Sequence, residues 1–267
     1  MDLKKIAVLG AGNLGFSIAK GLISSGAISS KDLILTEKNP QRLESLINDG
    51  YQALDDNRAA VAQSDLVMLV VKPWQIDGLL DEIKEEVQKN MPVLVSCVTG
   101  IMSGYIYDQL ACKPPLFRVM PNTGIAISES MSCISGHNNT KEQKLAIQSL
   151  FGQLGQVLFI SEEHMPAATA LAGCGIAFAL RFIRAAIQAG VEIGFSAEDA
   201  KVMAAQITKG AAELILQNNS HPEAEIDKVT TPKGITITGL NEMEHAGFSS
   251  SIIKGLLASY NKIERKA

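Results

Sequence analysis

The segment Gly10-Ala11-Gly12-Asn13-Leu14-Gly15 constrains this chain more than any other. It follows a short apolar run, Ile6-Ala7-Val8-Leu9, and leads into Phe16-Ser17-Ile18-Ala19-Lys20-Gly21-Leu22-Ile23, so the order reads strand, tight glycine turn, helix. With those flanks G-x-G-x-x-G is a dinucleotide-binding fingerprint; without them it is a weak signal. Gly10 permits the turn, Gly12 lets the backbone approach a pyrophosphate, and Gly15 lets the helix lie close to the strand. The helix N-terminus offers unpaired N–H groups and the positive end of its dipole to phosphates. Gly10, Gly12, Asn13, Leu14 and Gly15 are therefore candidate cofactor residues.

Strand and helix signals alternate beyond that point. Strands are expected at Ile6–Leu9, Leu33–Thr36, Leu66–Val71, Val93–Val98 and Leu116–Met120, with an edge strand at Gln156–Ile160. Helices are expected at Leu14–Ser25, Gln41–Ile47, Arg58–Ala62, Gln75–Lys89 and Lys141–Leu154. This alternation predicts βαβ units around a mostly parallel sheet. The segment Leu66–Val71 is apolar at every position, as a strand covered on both faces should be. The character changes near Ser161. Glu163–Ile193 is Ala-rich and apolar over most of its surface, with Arg181 and Arg184 its only basic residues, and such a helix is expected to be buried, in a subunit interface for example. Further helices are expected at Ala197–Asn218, capped by Ser196, and at Ser249–Glu264, capped by Ser249. The fold class expected is an α/β Rossmann dinucleotide-binding domain, residues 1–161, followed by an all-α helical domain, residues 162–267.

Composition excludes other classes. A net charge of −4, with the Lys and Arg residues scattered, offers no basic stripe for nucleic acid. The four cysteines, Cys97, Cys112, Cys133 and Cys174, lie far apart without a C-x-x-C and read as small buried hydrophobes. His137, His164, His221 and His245 lack metal-ligand spacing, so no metal site is expected. The densest apolar run, Leu66–Val71, is far short of the roughly 20 residues of a membrane span. Lys4-Lys5 and the apolar run after them stop at Gly10, too soon for a signal peptide, so a cytoplasmic location is expected.

Chemistry-bearing residues cluster at predicted strand ends. Glu37 closes the second strand, where a carboxylate accepts hydrogen bonds from the adenine ribose and favours NADH. Lys38 beside it points the other way, towards the 2′-phosphate of NADPH. Asp56-Asn57-Arg58 is a second marker; Val71-Lys72-Pro73 and Met120-Pro121-Asn122-Thr123 end two more strands, and ligands of open α/β sheets bind beyond such ends. In the helical half, Thr230-Thr231-Pro232-Lys233-Gly234-Ile235-Thr236 brings hydroxyls and amides to a helix start near Ile235, a natural carboxylate site.

Together these motifs resemble the pyrroline-5-carboxylate reductases: G-x-G-N-[ML]-G, V-K-P, R-x-M-P-N-T, V-T-[ST]-P-x-G-x-T, and Glu244-His245-Ala246-Gly247-Phe248, in order from residue 4 to about residue 265. The resemblance implies reduction of a cyclic imine, pyrroline-5-carboxylate, to proline with NADPH or NADH, and an interlocked homodimer, often stacked into rings. It places Asn57 near the adenosine ribose, and Val71, Lys72, Pro73 and Thr99 at the nicotinamide end, with Asn122 on the same rim. It assigns Thr231, Gly234 and Thr236 to the substrate carboxylate and ring nitrogen, Thr236 as the residue that positions the imine and relays a proton. Three positions depart from the family: Gly124 replaces a proline, Gly173-Cys174-Gly175-Ile176-Ala177-Phe178 replaces G-S-G-P-A-Y, and Lys233 stands in a P-G-G loop. Lys233 either pairs with the substrate carboxylate or obstructs the loop. A reductase of another imine, keto or hydroxy acid, and a non-catalytic dinucleotide-binding paralogue, are the alternatives. The absence of lysine from Glu163–Ile193 argues against 3-hydroxyacid dehydrogenases, which need one there.

Overall fold

The structure, a computed structural model, describes residues 3–264. Its eight-stranded sheet consists of β1 (Ile6–Leu9), β2 (Leu33–Thr36), β3 (Gln52–Leu54), β4 (Leu66–Leu69), β5 (Val93–Ser96), β6 (Leu116–Met120), β7 (Ser130–His137) and β8 (Gly155–Phe159), in the order β3-β2-β1-β4-β5-β6-β7-β8. All neighbours are parallel except β6 and β7. The chain thus winds outward from β1 in both directions, and the order reverses between β1 and β4.

Every residue of β1, β2, β4 and β5 is buried. Alternate residues feed two cores: Ile6 and Val8 face the helices α1 (Asn13–Ser24), α2 (Pro40–Asn48) and α6 (Lys141–Gly152). Ala7 and Leu9 face α3 (Asn57–Ala62), α4 (Ile76–Asn90) and α5 (Ser103–Leu110). On α4, Ile76, Leu79, Leu80, Ile83 and Val87 recur at helical spacing and are all buried. Each such side chain contributes roughly 1.5–3 kcal/mol by leaving water.

The strands expected at Leu66–Val71 and Val93–Val98 end earlier, at Leu69 and Ser96; the Val70 and Cys97 amides still donate to the Leu9 and Leu69 carbonyls at 2.9 and 3.0 Å before the chain leaves the sheet. Local sequence does not mark β3, β7 or α5. In β7 the buried Ser130, Ser132 and Ser135 interrupt the apolar pattern, so pairing with β6 on one side and β8 on the other makes the strand. All four cysteines are free; Cys97 and Cys133 are buried, Cys112 and Cys174 half-buried.

The structure divides into two compact units, the first comprising the described residues up to Cys174 and those from Ser259 on, the second Gly175–Ala258. In the first, the chain leaves the sheet through a short turn, Glu162–His164, then α7 (Met165–Ala168) and a π-helical stretch, Thr169–Cys174. The second holds α8 (Gly175–Glu192), α9 (Ala197–Asn218), α10 (Pro222–Lys228), α11 (Ile235–His245) and most of α12 (Phe248–Glu264). Of these, α10 was not anticipated. Ser196 caps α9, accepting from the Asp199 amide at 3.1 Å. Ser249 does not cap α12: it lies inside the helix and its hydroxyl donates to Glu244 Oε1 at 2.7 Å. Helices α8 and α9 approach closely, a Cβ at Gly190 falling 2.9 Å from the Ala200 Cβ, and Phe182 meets Phe248 edge-on at 6.2 Å.

No residue of α8 is buried within the single chain, so the protomer by itself does not supply the burial expected of this apolar helix. The continuous helical run Glu162–Glu192 is also long and apolar enough to cross a membrane by length and composition, an 18-residue stretch within it having a mean hydropathy of 1.7. Small residues and the two arginines interrupt it, so no single unbroken apolar run marks it in the sequence.

Candidate active site

A cleft of about 650 Å³ opens in the first unit, beyond the C-terminal ends of β1, β2, β4 and β5. That is the side and the strand reversal where open α/β sheets bind ligands. Among the sequence-derived candidates, Gly10, Gly12, Asn13, Leu14, Glu37, Lys38, Asn57, Val71, Lys72, Pro73 and Thr99 line it. Thr123, of the Met120-Pro121-Asn122-Thr123 marker, lines it too, and Ser17, Thr36, Arg42, Val70, Gln75, Cys97 and Ile125 complete the lining without being assigned a role from sequence.

The glycines have three separate physical roles. Gly10 has φ +103°, a conformation that L side chains rarely adopt, and a Cβ there would lie 2.6 Å from the Val70 carbonyl. Gly15 lies under the loop rather than in the cleft, and a Cβ on it would sit 2.1 Å from the Gly10 carbonyl oxygen. A Cβ on Gly12 would meet nothing within 4 Å, so the space above it is open. The loop is tied to β2, whose Thr36 hydroxyl and carbonyl accept from the Gly10 and Ala11 amides at 3.2 and 2.8 Å. No side chain caps α1 at Gly12, which leaves its first amides available to an anion. An open glycine, an uncapped helix start and a lined cleft fit a dinucleotide pyrophosphate.

At the β2 end the two opposed charges are held differently. Glu37 Oε1 accepts from the Asn39 amide at 2.9 Å and Oε2 lies 3.4 Å from Arg42 Nε. Lys38 Nζ instead donates to the Asp55 carbonyl at 2.7 Å and to Glu82 Oε1 at 3.1 Å. Glu82 Oε2 accepts from Asn57 Nδ2 at 2.8 Å, so one carboxylate steadies both Lys38 and the start of α3. Cys97 is buried against the cleft, and burial pushes its thiol up to about 12, an inert group at neutral pH.

The side chain of Asn122 is spent on the fold. Its Oδ1 accepts from the Gly124 amide at 2.9 Å and its Nδ2 donates to the Ala172 carbonyl of the π-helical stretch at 3.1 Å. Thr123, the next residue, lines the cleft. Gly124 is accounted for locally: the proline of the family has no N–H for that bond, and a Cβ would fall 2.5 Å from the Glu129 carbonyl.

Thr231, Lys233, Gly234 and Thr236 belong to the second unit. The Gly234 amide donates to the Thr231 carbonyl at 2.8 Å, closing a turn with Pro232 and Lys233 at its corners. Lys233 has φ +61°, the value that favours glycine at the third position of such a turn. A Cβ on Gly234 would lie 2.6 Å from Thr231 Oγ1, so this second glycine is required by close approach. Gly234 precedes α11 without a side-chain cap or an acidic residue in the first turn, and Thr236 is exposed there.

The first unit defines a class, the Rossmann-type dinucleotide-binding proteins. Comparison with known proteins refines it. Residues 5–100 match the family described as NADP oxidoreductase, coenzyme F420-dependent, and residues 162–266 match pyrroline-5-carboxylate reductase dimerisation. The chain is 47% identical to pyrroline-5-carboxylate reductase 1 of Dictyostelium discoideum over 96% of its own length, spanning 49% of that relative's length. It is 45% identical to pyrroline-5-carboxylate reductase 2 of the same organism, over 97% of this chain and 92% of the other. The crystal structure of Plasmodium falciparum pyrroline carboxylate reductase with NADP bound superposes with a TM-score of 0.90 at 25% identity, covering 99% of each chain. The chain belongs to the pyrroline-5-carboxylate reductase family of nicotinamide-dependent oxidoreductases.

Proposed function

We propose that this chain reduces 1-pyrroline-5-carboxylate to proline with NADH or NADPH. The observation that carries the reading is the cleft at the strand reversal, with its open Gly12 and uncapped α1, in a chain whose family likeness runs from end to end. When bound, the reduced nicotinamide supplies a hydride to C5 of the imine. Protonation of the ring nitrogen already makes C5 electrophilic, so the protein's work is to align donor and acceptor and to exclude water. The amides of the β1–α1 loop hold the pyrophosphate, and Val71, Lys72, Pro73 and Thr99 shape the nicotinamide end. Thr231, Gly234 and the first amides of α11 hold the substrate carboxylate. Thr236 hydrogen-bonds the substrate, fixes its orientation and passes a proton towards the nitrogen.

The test is the loss of reduced-nicotinamide absorbance with pyrroline-5-carboxylate as substrate. The Thr236→Ala variant is expected to lower kcat by about a hundredfold, in the range of positioned proton donors, and to leave dinucleotide affinity near wild type. Equal losses of both would remove Thr236 from catalysis. Dinucleotide binding without turnover of the imine would overturn the activity itself.

Lys233 is read as a carboxylate partner for the substrate. A lysine in the left-handed region costs about 1 kcal/mol or more, and an ion pair with the substrate offsets that cost. The variant Lys233→Gly, which fits the turn without strain, is expected to raise KM for the imine about tenfold with kcat little changed, the signature of lost uniform binding. An unchanged KM would leave Lys233 a solvated side chain.

The apolar surface of the second unit is read as self-association. Leu180, Ile193, Val202, Ile207 and Leu216 are all at least half exposed in the single chain, and the matching family is named for dimerisation. Arg181 and Arg184 lie within the apolar run, and charged groups are costly in hydrocarbon, so a second copy of the chain rather than lipid covers this surface in our reading.

A further inference from the structure

We infer that Glu37 and Arg42 select between the two reduced dinucleotides: Glu37 favours NADH by accepting the adenosine ribose hydroxyls, and Arg42, rather than Lys38, admits the 2′-phosphate of NADPH. This rests on the dinucleotide reading above and names the groups that tune it.

Both residues line the cleft at the end of β2. The Glu37 carboxylate is fixed in place. It takes the Asn39 amide at 2.9 Å, and Asn39 in turn caps α2 through its Oδ1, which accepts from the Arg42 amide at 3.0 Å. The carboxylate is therefore stitched to the N-terminus of α2, whose dipole favours a negative charge. Its side chain is only 16% exposed, so it cannot turn aside to water when a phosphate arrives. A ribose hydroxyl donates to this group; a 2′-phosphate is repelled by it.

Arg42 answers that repulsion. It sits on the first turn of α2, and its Nε lies 3.4 Å from Glu37 Oε2, longer than the 2.7–2.9 Å of a firm charge-assisted bond. Its side chain is 41% exposed, and among the described residues neither Nη makes a hydrogen bond. The guanidinium edge is thus free to take two phosphate oxygens while its Nε stays by Glu37. Lys38 is already engaged with the Asp55 carbonyl and Glu82, the carboxylate that also holds Asn57. Bringing Lys38 to a phosphate breaks both of its contacts. The fixed carboxylate sets a preference for NADH, and the loosely held arginine keeps that preference incomplete.

The experiment measures NADH and NADPH binding separately from turnover. Trp74 is the chain's single tryptophan; it is exposed and follows Pro73, which lines the cleft, so energy transfer from it to the reduced nicotinamide reports occupancy. Wild type is expected to bind NADH about tenfold more tightly than NADPH. Glu37→Gln, which keeps the side chain's shape, is expected to reverse or abolish that ratio, and Glu37→Ala checks it without the amide. Arg42→Ala is expected to weaken NADPH about tenfold and NADH by less than about twofold. Lys38→Ala should weaken NADPH less than Arg42→Ala does. An unchanged ratio in both Glu37 variants overturns the inference, as does an equal loss of both dinucleotides in Arg42→Ala, or a larger NADPH loss in Lys38→Ala. If wild type shows transfer with neither dinucleotide, the reading beneath the inference falls with it. Transfer with both, and unaltered ratios in the variants, sinks the inference alone.

Discussion

Glu162→Ala is expected to cost the fold about 3–5 kcal/mol, because it strands a buried guanidinium. Arg118 stands in the middle of β6 with its side chain 4% exposed, and its Nη1 reaches Glu162 Oε1 at 2.9 Å. The same carboxylate accepts the Ser103 amide at 2.8 Å and hydroxyl at 2.7 Å, so it supplies the N-terminal cap that Met102 does not give α5. One side chain therefore joins the start of the turn at Glu162–His164, the sheet and the first turn of α5. Arg118 Nε already lacks a hydrogen-bond partner, and without Glu162 its Nη1 keeps only the Met102 sulfur at 3.2 Å, a weak acceptor. A drop of that size lowers the melting temperature by roughly 10 °C. Burial pushes the Glu162 carboxyl up, but the Ser103 hydroxyl and amide, Arg118 and His137 together outweigh burial and hold it below its ordinary value. Its stabilisation is complete at neutral pH and drains as pH falls from the ordinary carboxylate range through the lowered folded value. Melting curves of wild type and Glu162→Gln across the acid range test both parts: the gap between them should close as pH falls. A variant melting within about 2 °C of wild type at neutral pH would show that the pair is not holding these elements together.

The same network marks a limit of what sequence reveals. Strands Ile6–Leu9, Leu33–Thr36 and Leu116–Met120 are read to the residue because each is apolar but for at most one residue and is buried along its whole length. The strand Ser130–His137 is not legible: its serines are buried by pairing with β6 and β8, a consequence of the sheet rather than of local preference. Arg118 sits opposite Ser135 in that pairing, so the arginine of the R-x-M-P-N-T motif is a tie within the fold. In the cleft, the glycine loop and the residues at strand ends are legible because motif and topology coincide. Ser17, Gln75 and Ile125 are not, since they are brought there by where loops from different strands meet. The directions of Lys38 and Arg42 are equally hidden. These two cations, four residues apart in sequence, separate in space once Asp55 and Glu82 are placed beside Lys38 and Glu37 beside Arg42.

Gly12→Ala and Gly15→Ala are expected to fail in opposite ways, although both fall within one short motif. A methyl group on Gly12 meets nothing within 4 Å, and the residue has φ −64°, which alanine adopts freely. The variant should melt as wild type does. Its methyl would occupy the space through which a pyrophosphate approaches the α1 amides, and dinucleotide affinity should fall about a hundredfold, close to 2.7 kcal/mol. A methyl on Gly15 lands 2.1 Å from the Gly10 carbonyl oxygen and 3.2 Å from Val8 Cγ1. The first of these is backbone, which no rotamer change can relieve, so α1 must lift from β1. That overpacking costs about 1–3 kcal/mol or more, and any loss of affinity follows from the displaced helix. Thermal melting together with energy transfer from Trp74 separates the two cases. Wild-type affinity in Gly12→Ala would mean that no phosphate passes over that glycine, and the cleft would then need a different occupant. A wild-type melting temperature in Gly15→Ala would mean that the helix can leave the strand without penalty, against the packing of Ile18 and Leu22 in the core beneath it.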